Sequence, residues 1–359
     1  MNPCFHFPSI LTDETICRSN IRRMAQKALA HGLMFRPHFK THQSVEVGKW
    51  FKDEGINAIT VSSVTMATFF ADAGWEDITI AFPLNIRELD EINQLACKIQ
   101  LNVLFDMPAQ ALVAAGKISH LVGYFIKTDV GYHRSGVEPN DHDTIQQIMR
   151  ATDGTSLTFK GFLTHSGNTY QAKSINEILL IHNEATRLLY RLKMIYQDRF
   201  PGIIISTGDT PSCSIAGNFN GVDEIRPGNF VYFDLMQYHL GSCRFDEIAA
   251  AVICPVISVY PQRNQALIYG GAVHLSKESL ISKKGNLIFG LVVPFINGKW
   301  GNPEGDDYLV SLSQEHGIFT TESNWSKLLK PGDIVAVIPV HSCLAADLLR
   351  NKSTLNLRK

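Results

Sequence analysis

The chain has one lysine set among basic side chains directly after a short apolar run at residues 33–35. The segment that follows reads Arg36-Pro37-His38-Phe39-Lys40-Thr41-His42. Pro37 lacks a backbone donor and biases the residue before it toward extended geometry, so we predict Lys40 at the mouth of a strand. Cationic neighbours lower the pKa of a lysine amine, which favours the neutral nucleophile needed for a Schiff base with a carbonyl cofactor. An ordinary solvated loop lysine is the alternative.

Two further segments could bind a phosphate. Ser206-Thr207-Gly208-Asp209-Thr210-Pro211-Ser212 combines hydroxyl residues with glycine. Such a segment can bring backbone N–H groups and hydroxyls together on an anion, although it is also typical of a turn. Arg226-Pro227-Gly228-Asn229 follows the next apolar run. In barrel enzymes the loops after strands seven and eight commonly form a phosphate cup, so we predict that the two segments act together.

An imidazole and a thiol two residues apart, His341 and Cys343, form a candidate metal pair. If the extended geometry of the apolar run before them persists, both side chains point to one side of the chain. A thiolate and an imidazole suit Zn²⁺ and leave positions open for water and a substrate oxygen. A buried thiol beside a capping histidine is the alternative.

Eight apolar segments alternate with helix-like ones and would position these residues. The predicted strands are residues 33–35, 58–61, 78–81, 101–105, 124–126, 159–163, 203–205 and 225–233. This alternation predicts a (β/α)8 barrel over residues 21–244, with a doubly wound open sheet as the alternative. Polar side chains follow the strands and would meet at the catalytic face. Short β-rich runs with Gly and Pro then predict a mainly antiparallel β domain over residues 245–359.

Composition restricts the partners. Lys plus Arg number 33 against 34 Asp plus Glu, with no long run of like charge, so we expect no nucleic-acid or membrane partner. The seven cysteines are odd in number and scattered, which is typical of a reducing compartment. With no leader-like or membrane-spanning apolar run, we predict a soluble cytoplasmic protein.

The heptapeptide around Lys40 resembles the R-P-H-x-K-T-H segment of the fold-type III pyridoxal-phosphate enzymes that include D-threonine aldolases and eukaryotic-type D-serine dehydratases. The resemblance extends over nearly the whole chain and implies that Lys40 carries pyridoxal 5′-phosphate (PLP). It also implies that residues 1–20 pack with the β domain and that the protein is a homodimer.

The same resemblance implies roles for further residues. It implies that Arg226 hydrogen-bonds the pyridine nitrogen of the cofactor, as in the R-P-G of alanine racemase. It also implies that His165 lies against the cofactor ring. Arg134 would lie near the phenolic oxygen, with Asp129 orienting it or forming a salt bridge at a helix entry. The remaining implied contacts are with the phosphate and its surroundings: Tyr170, Thr207, Gly208, Thr210, Gly228 and Asn229. The segment that contains His341 and Cys343 resembles the family's P-x-H-x-[CD] metal site, whose cysteine form is that of zinc-dependent D-serine dehydratases.

The resemblance therefore implies a PLP- and metal-dependent lyase acting on a D-β-hydroxy amino acid, with D-serine giving pyruvate and ammonia. Lys40 would take the α-proton, and zinc would assist departure of the β-hydroxyl. Retro-aldol cleavage of a D-threonine-like substrate is the nearest alternative, followed by an amino-acid racemase and a non-catalytic PLP carrier. One departure from the family is that Tyr269-Gly270-Gly271 stands where many relatives have Asp-Ala-Gly.

Overall fold

The computed structural model of the chain describes residues 5–350 and, as backbone alone, residues 354–357. The chain divides into two compact units. The barrel unit is Ile21–Gly228, and the β unit combines Met1–Asn20 with Asn229–Lys359. The boundary after Gly228 lies earlier than the predicted boundary after residue 244, because residues from Asn229 onward pack within the β unit.

The barrel unit consists of eight parallel strands and the helices between them. The chain begins with β1 (Ser9–Asp13), which belongs to the β unit and leads into α1 (Glu14–Ala30). The barrel strands are β2 (Met34–Phe35), β3 (Ala58–Val61), β4 (Asp77–Pro83), β5 (Gln100–Phe105), β6 (Val122–Lys127), β7 (Leu157–Leu163), β8 (Ile204–Thr207) and β9 (Glu224–Ile225). The helices between them are α2 (Val45–Asp53), α3 (Val64–Asp72), α4 (Leu89–Ala96), α5 (Pro108–Ala115), α6 (His142–Thr152), α7 (Ile175–Tyr196) and α8 (Thr210–Ile215).

The eight strands form one parallel sheet in the order β2-β9-β8-β7-β6-β5-β4-β3. The sheet closes because the chain continues past β2 and His38 pairs in parallel with Thr60 of β3. The predicted (β/α)8 barrel is therefore confirmed. Its last strand is shorter than the predicted 225–233, because Pro227 lacks a backbone donor and Asn229–Val231 forms a 3-10 turn.

Side-chain caps determine where helices begin after the strands. Ser44 accepts the backbone N–H of Val47 at the start of α2, and Ser63 accepts that of Met66 at the start of α3. Asp209 caps α8 in the same way. A hydroxyl or carboxylate at this position satisfies an N–H group that has no partner within the helix. The caps therefore fix where α2, α3 and α8 begin, and the polar side chains that follow the strands lie on one face of the barrel.

The interior of the barrel is filled by large side chains of the strands. Leu104, Phe125 and Leu163 form one buried cluster on the inner face of the sheet. Their strand neighbours Phe105, Tyr124 and Phe162 are also buried but face the helices, where Phe162 meets Tyr196 of α7. Tyr124 keeps its hydroxyl satisfied by bonding Thr152 at 2.8 Å. Close packing of this kind gives the rigid base on which the loops at the barrel mouth are held.

The β unit is built around an antiparallel sheet that also closes on itself. Its elements are α9 (Leu235–His239), β10 (Ala250–Tyr260), β11 (Gln265–Tyr269), α10 (Ala272–Leu275), β12 (Leu280–Ile281), β13 (Leu287–Ile288), β14 (Gly290–Ile296), β15 (Lys299–Trp300), β16 (Tyr308–Leu312), β17 (His316–Thr320), β18 (Ile334–Pro339), α11 (Ser342–Leu349) and β19 (Thr354–Leu357). The order is β11-β17-β16-β14-β18-β10, and β10 pairs again with β11. β1 joins β10 antiparallel, and β19 joins β1 in parallel. The predicted antiparallel β domain is confirmed.

Among the described residues, no helix combines the length and the apolar character needed to cross a membrane.

Candidate functional site

Lys40 lies beyond the carboxyl end of β2, at the mouth of the barrel. Its backbone N–H donates to His38 Nδ1 at 3.3 Å, and the other ring nitrogen of His38 lies 3.5 Å from Ser62 Oγ. The backbone at His38 is held in turn by its pairing with Thr60. The Lys40 side chain is exposed. A lysine with a fixed backbone and an accessible amine suits the attachment of a carbonyl compound.

The basic neighbours of the lysine do not supply the positive charges that the sequence suggested. Arg36 is buried and bonds Glu224 at 2.7 Å and Asp77 at 2.5 Å, so its charge is compensated. Burial lowers the pKa of His42 to about 3, and burial also holds the pKa of His38 well below its usual range. Both imidazoles are neutral at pH 7. The structure corrects this part of the prediction, because ion pairing and burial are not visible in a heptapeptide.

His165 follows β7 and is close enough to Lys40 for their charges to interact. Its Nδ1 lies 2.5 Å from the carbonyl oxygen of Gly208, so we assign the proton to Nδ1, which donates. Burial, followed by the positive charge of Lys40, lowers the pKa of His165 to about 3. The ring meets Tyr132 edge to face at a centroid distance of 6.1 Å. His165 is therefore a neutral imidazole. A neutral ring suits packing against an aromatic ring better than it suits the role of a charged group.

The loop after β8 presents buried polar groups that lack partners. The hydroxyl oxygens of Thr210 and Ser212 are buried and make no hydrogen bond within the described part of the chain. The Thr210 N–H points to the Tyr170 hydroxyl at 3.5 Å. Unpaired buried hydroxyls cost free energy unless a ligand or a water satisfies them. These groups fit a phosphate, as predicted for Thr210 and Tyr170.

Two glycines allow the site loops to approach each other closely. A Cβ on Gly208 would lie 2.8 Å from the carbonyl carbon of Arg226, and one on Gly228 would lie 2.7 Å from the carbonyl oxygen of His38. The backbone N–H of Arg226 donates to the Thr207 carbonyl at 2.8 Å. The loops after β8 and β9 and the Lys40 segment therefore form one packed surface, and the phosphate contacts of Thr207, Gly208 and Gly228 stay a prediction.

Arg226 is buried and its guanidinium is fixed. Nε donates to Ser206 Oγ at 2.6 Å, Nη2 donates to the Thr164 carbonyl, and a Glu224 oxygen lies 3.9 Å from Nε. Burial lowers the pKa of Arg226 to about 10, while the Glu224 carboxylate opposes the shift, so the group stays protonated at pH 7. A guanidinium held in this way can donate a hydrogen bond without transferring its proton. This is the behaviour expected of a partner for a pyridine nitrogen.

Arg134 is carried by the loop after β6, which Asp129 folds. One carboxylate oxygen of Asp129 accepts the backbone N–H groups of residues 131–133, the first of them at 2.9 Å. The guanidinium of Arg134 lies 5.1 Å from the centre of the Tyr132 ring, and Tyr132 contacts His165. Asp129 therefore acts on Arg134 indirectly, through the backbone of the loop. Tyr132 is a site residue that the sequence did not single out.

The side chain of Asn229, predicted to bind the cofactor, lies among polar groups of the β unit. Its Nδ2, which carries two hydrogens, lies 2.7 Å from Asp234 Oδ2, and Ser342 Oγ at 3.0 Å and Cys343 Sγ at 3.3 Å share its second N–H. All four residues belong to the β unit. The structure thus brings Asn229 together with the candidate metal pair, because the chain turns at Pro227-Gly228 and residues 229–231 form a 3-10 turn.

His341 and Cys343 lie close together, but for a reason other than the predicted extended geometry. His341 is the residue before α11, and Cys343 lies in the first turn of that helix. Burial alone would lower the pKa of His341, but the Cys343 thiolate and the Asp234 carboxylate raise it to about 11. An imidazole and a thiol, with a carboxylate beside the imidazole, form a donor set of the kind that binds zinc, so the residues fit a zinc ion.

Asp234 is the residue of this group that sequence reasoning missed. It is fully buried, and Oδ2 lies 3.3 Å from His341 Nδ1, although the N–H is not aligned on it. The signal was present as an acidic residue directly before a short helix, the usual pattern of an N-cap. A second set of potential ligands, Asp129, His133 and Glu138, has ligand atoms within 4.8 Å of one another.

The segment Tyr269-Gly270-Gly271, which stands where many relatives have Asp-Ala-Gly, packs against the loop before β17. The Gly270 N–H donates to the Glu315 carbonyl at 3.0 Å. His274 accepts the Gly271 N–H at 3.2 Å through Nδ1, and its Nε2 lies 3.5 Å from Glu315 Oε2. A carboxylate is therefore present beside this segment, supplied by residue 315.

Two family models match the chain. The alanine racemase N-terminal domain matches residues 13–236, and the putative serine dehydratase domain matches residues 249–353.

Relatives of known activity match nearly the whole chain. A D-serine dehydratase of Dictyostelium discoideum is 29% identical, with 97% of this chain and 93% of that protein covered. A 3-hydroxy-D-aspartate aldolase of Paracoccus denitrificans is 24% identical, with 93% and 84% covered. A solved structure of D-threo-3-hydroxyaspartate dehydratase, a cysteine-to-alanine mutant in the metal-free form, matches with a TM-score of 0.87 and 26% identity over 96% of this chain and 93% of that one.

Proposed function

The chain belongs to the family of the alanine racemase N-terminal domain, and from that membership we propose that it is a PLP- and metal-dependent lyase that converts D-serine to pyruvate and ammonia. The observation that carries the proposal is the second family match, the putative serine dehydratase domain over residues 249–353. That range includes His341 and Cys343, the pair to which we assign the metal. The substrate is a free D-amino acid, and the resemblance of the chain supports a homodimer.

The residues at the barrel mouth are assigned to PLP. Lys40 is the attachment point, because its amine is exposed at the end of β2. The phosphate belongs with the unpaired hydroxyls of Thr210 and Ser212. When bound, PLP supplies a sink for the electrons left at the substrate Cα after its proton is removed. Lys40 is the amine that takes this proton.

We assign Arg226 to the pyridine nitrogen of PLP, a pairing that does not by itself choose between racemisation and elimination. Its guanidinium remains protonated, because Glu224 offsets the effect of burial. An arginine that donates without protonating the pyridine nitrogen keeps the electron sink weak. With a weak electron sink, the negative charge at Cα is poorly delocalised. Elimination therefore depends on assistance to the departing β-hydroxyl. A metal held by His341 and Cys343 supplies Lewis acidity toward the β-hydroxyl when bound.

The atoms balance as follows. D-Serine loses its α-proton and its β-hydroxyl, which leave together as water, and 2-aminoacrylate remains. 2-Aminoacrylate then takes up water in solution and gives pyruvate and ammonia. Retro-aldol cleavage is the second candidate, because the Paracoccus relative of similar length is an aldolase. In that reaction the Cα–Cβ bond breaks and glycine and an aldehyde are formed.

The proposal is tested by incubating the purified protein with a panel of D- and L-β-hydroxy amino acids and identifying the products by NMR. We expect pyruvate and ammonia from D-serine, and no reaction of L-serine. Absence of pyruvate from D-serine in the presence of PLP and zinc would refute the proposal.

A further inference from the structure

We propose that Asn229 and Asp234 are positioning residues of the metal site, with Asn229 bonded to the Cys343 sulfur and Asp234 orienting His341. The inference rests on the proposed function in one respect, because it takes His341 and Cys343 as the metal pair. It goes further by assigning two residues to metal binding that do not themselves need to touch the ion.

Hydrogen bonds to both carboxylate oxygens fix the orientation of Asp234 beside His341. Its Oδ1 accepts the Gln237 N–H at 2.9 Å, which caps α9. Its Oδ2 accepts Asn229 Nδ2 at 2.7 Å and the Ser342 N–H at 3.0 Å, and it lies 3.3 Å from His341 Nδ1. His341 Nδ1 has no aligned hydrogen bond in this arrangement, and a carboxylate at this distance can accept its proton once the ring turns toward it, which leaves the other nitrogen for a metal.

The amide of Asn229 has only one acceptable orientation. Rotating it by half a turn would place its oxygen against Asp234 Oδ2, where the nitrogen now lies at 2.7 Å. The nitrogen therefore faces the carboxylate, and the same group reaches Cys343 Sγ at 3.3 Å. An N–H donor on a thiolate fixes the position of the sulfur and tunes its strength as a ligand.

The charge of the cluster supports a role beyond packing. Asp234 is fully buried, and its hydrogen-bond donors within the described chain are backbone N–H groups, an amide and a hydroxyl, all of them neutral. A buried carboxylate is costly unless a cation accompanies it. Within the described part of the chain, His341 Nδ1 lies 3.3 Å from this carboxylate. The arrangement would suit a carboxylate that positions a metal-binding histidine.

The experiment uses full-length protein loaded with PLP and compares Asp234→Asn and Asn229→Ala with a matched control, Asp307→Asn. Asp307 is also buried in the β unit and also accepts several donors, from Glu322, Ser323 and Ser326. Zinc affinity is measured by competition with a chelator of known affinity. Zinc X-ray absorption reports the sulfur and nitrogen ligands, and the visible absorbance reports the cofactor.

We expect both site variants to lose zinc affinity by about 10- to 100-fold while keeping the cofactor absorbance. Asp307→Asn should lower thermal stability to a similar extent but keep wild-type zinc affinity. Wild-type zinc affinity in both site variants would overturn the inference. Loss of cofactor absorbance with zinc retained in Asn229→Ala would also overturn it and return Asn229 to the PLP site.

The outcome for the wild-type protein separates the two proposals. Zinc bound through sulfur and nitrogen without any turnover of D-serine would refute the proposed function and leave the positioning roles standing. A wild-type protein that binds no divalent metal would refute both.

Discussion

At the scale of single residues, several basic side chains around Lys40 are either paired with carboxylates or kept neutral by burial. Arg36 is paired with two carboxylates, and His38 and His42 are kept neutral by burial. Arg134, Arg226 and Lys127 remain positively charged near the cofactor residues, since burial lowers the pKa of Lys127 only to about 8 and the pKa of Arg226 only to about 10. Lys40 is thus distinguished by its accessible amine.

The first prediction concerns Lys40. Borohydride reduction of the yellow holoprotein, followed by peptide mapping, should leave the pyridoxyl label on Lys40, because its amine is exposed at the barrel mouth. Lys40→Ala should stay folded and lose both the visible absorbance and activity. A label on Lys127, whose amine is buried and bonds the Ser135 carbonyl, would contradict the assignment.

The second prediction concerns His42 and acid stability. Burial lowers the pKa of His42 to about 3 in the folded protein, against 6.5 for the unfolded chain. Between these two pH values the unfolded state binds the additional proton, so stability is lost as pH falls below about 6.5. From pH 7 to pH 5 this one group should cost about 2 kcal/mol of unfolding free energy.

The measurement is urea unfolding of the wild type and of His42→Gln at both pH values. The glutamine does not titrate, and its amide oxygen can still accept the Ser44 N–H that His42 accepts at 3.1 Å. The variant should therefore lose about 2 kcal/mol less on acidification. An equal loss in both proteins would show that His42 is not a buried neutral imidazole.

The third prediction concerns the metal pair. Cys343→Ala should abolish zinc binding and lower turnover of D-serine by at least about 100-fold, since Lewis-acid assistance is worth several kcal/mol. The visible absorbance of the cofactor should be unchanged. Cys254→Ala, which removes another buried thiol of the β unit, is the control and should retain zinc. Full activity of Cys343→Ala would refute the metal mechanism.

At the scale of elements, the sequence predicts what depends on local pattern. The strand predicted at 58–61 matches β3 residue for residue, because an apolar, β-branched run is a local property. The phosphate-binding loop was predicted for the same reason, since its glycine and hydroxyls are contiguous in the chain.

The errors arise where the chain changes direction. The run at 225–233 reads as a strand, yet the strand ends at Ile225. A strand was assumed to continue through His341, yet a helix begins at Ser342. Asp234 and the ion pairs of Arg36 join residues distant in sequence, and no local pattern reports such contacts. Tertiary packing decides these features.

The fourth prediction tests the packing of the phosphate loop. Gly208→Ala would place a Cβ 2.8 Å from the Arg226 backbone, so either the loop or Arg226 must shift. We expect PLP affinity to fall by at least about tenfold and stability to fall by about 1–3 kcal/mol. Gly217→Ala is the matched control, because a Cβ there meets nothing within 4 Å. Equal PLP affinity in the two variants, measured by absorbance titration, would refute the role of the close approach.

At the scale of the whole molecule, the chain joins two kinds of chemistry in one polypeptide. The barrel unit carries the residues assigned to PLP, and the β unit carries those assigned to the metal. PLP alone serves racemases as well as lyases, so the metal pair is what favours reaction at the β-carbon. We therefore expect the protein to eliminate the β-hydroxyl of D-serine with the help of zinc.

The most direct test follows D-serine and D-threonine side by side in one zinc-containing buffer, before and after removal of the metal by chelation. The account predicts that D-serine gives equal amounts of pyruvate and ammonia, faster than D-threonine gives glycine and acetaldehyde, and that chelation stops this reaction until zinc is restored. Dominant formation of glycine, or undiminished release of ammonia from the zinc-free protein, would contradict it.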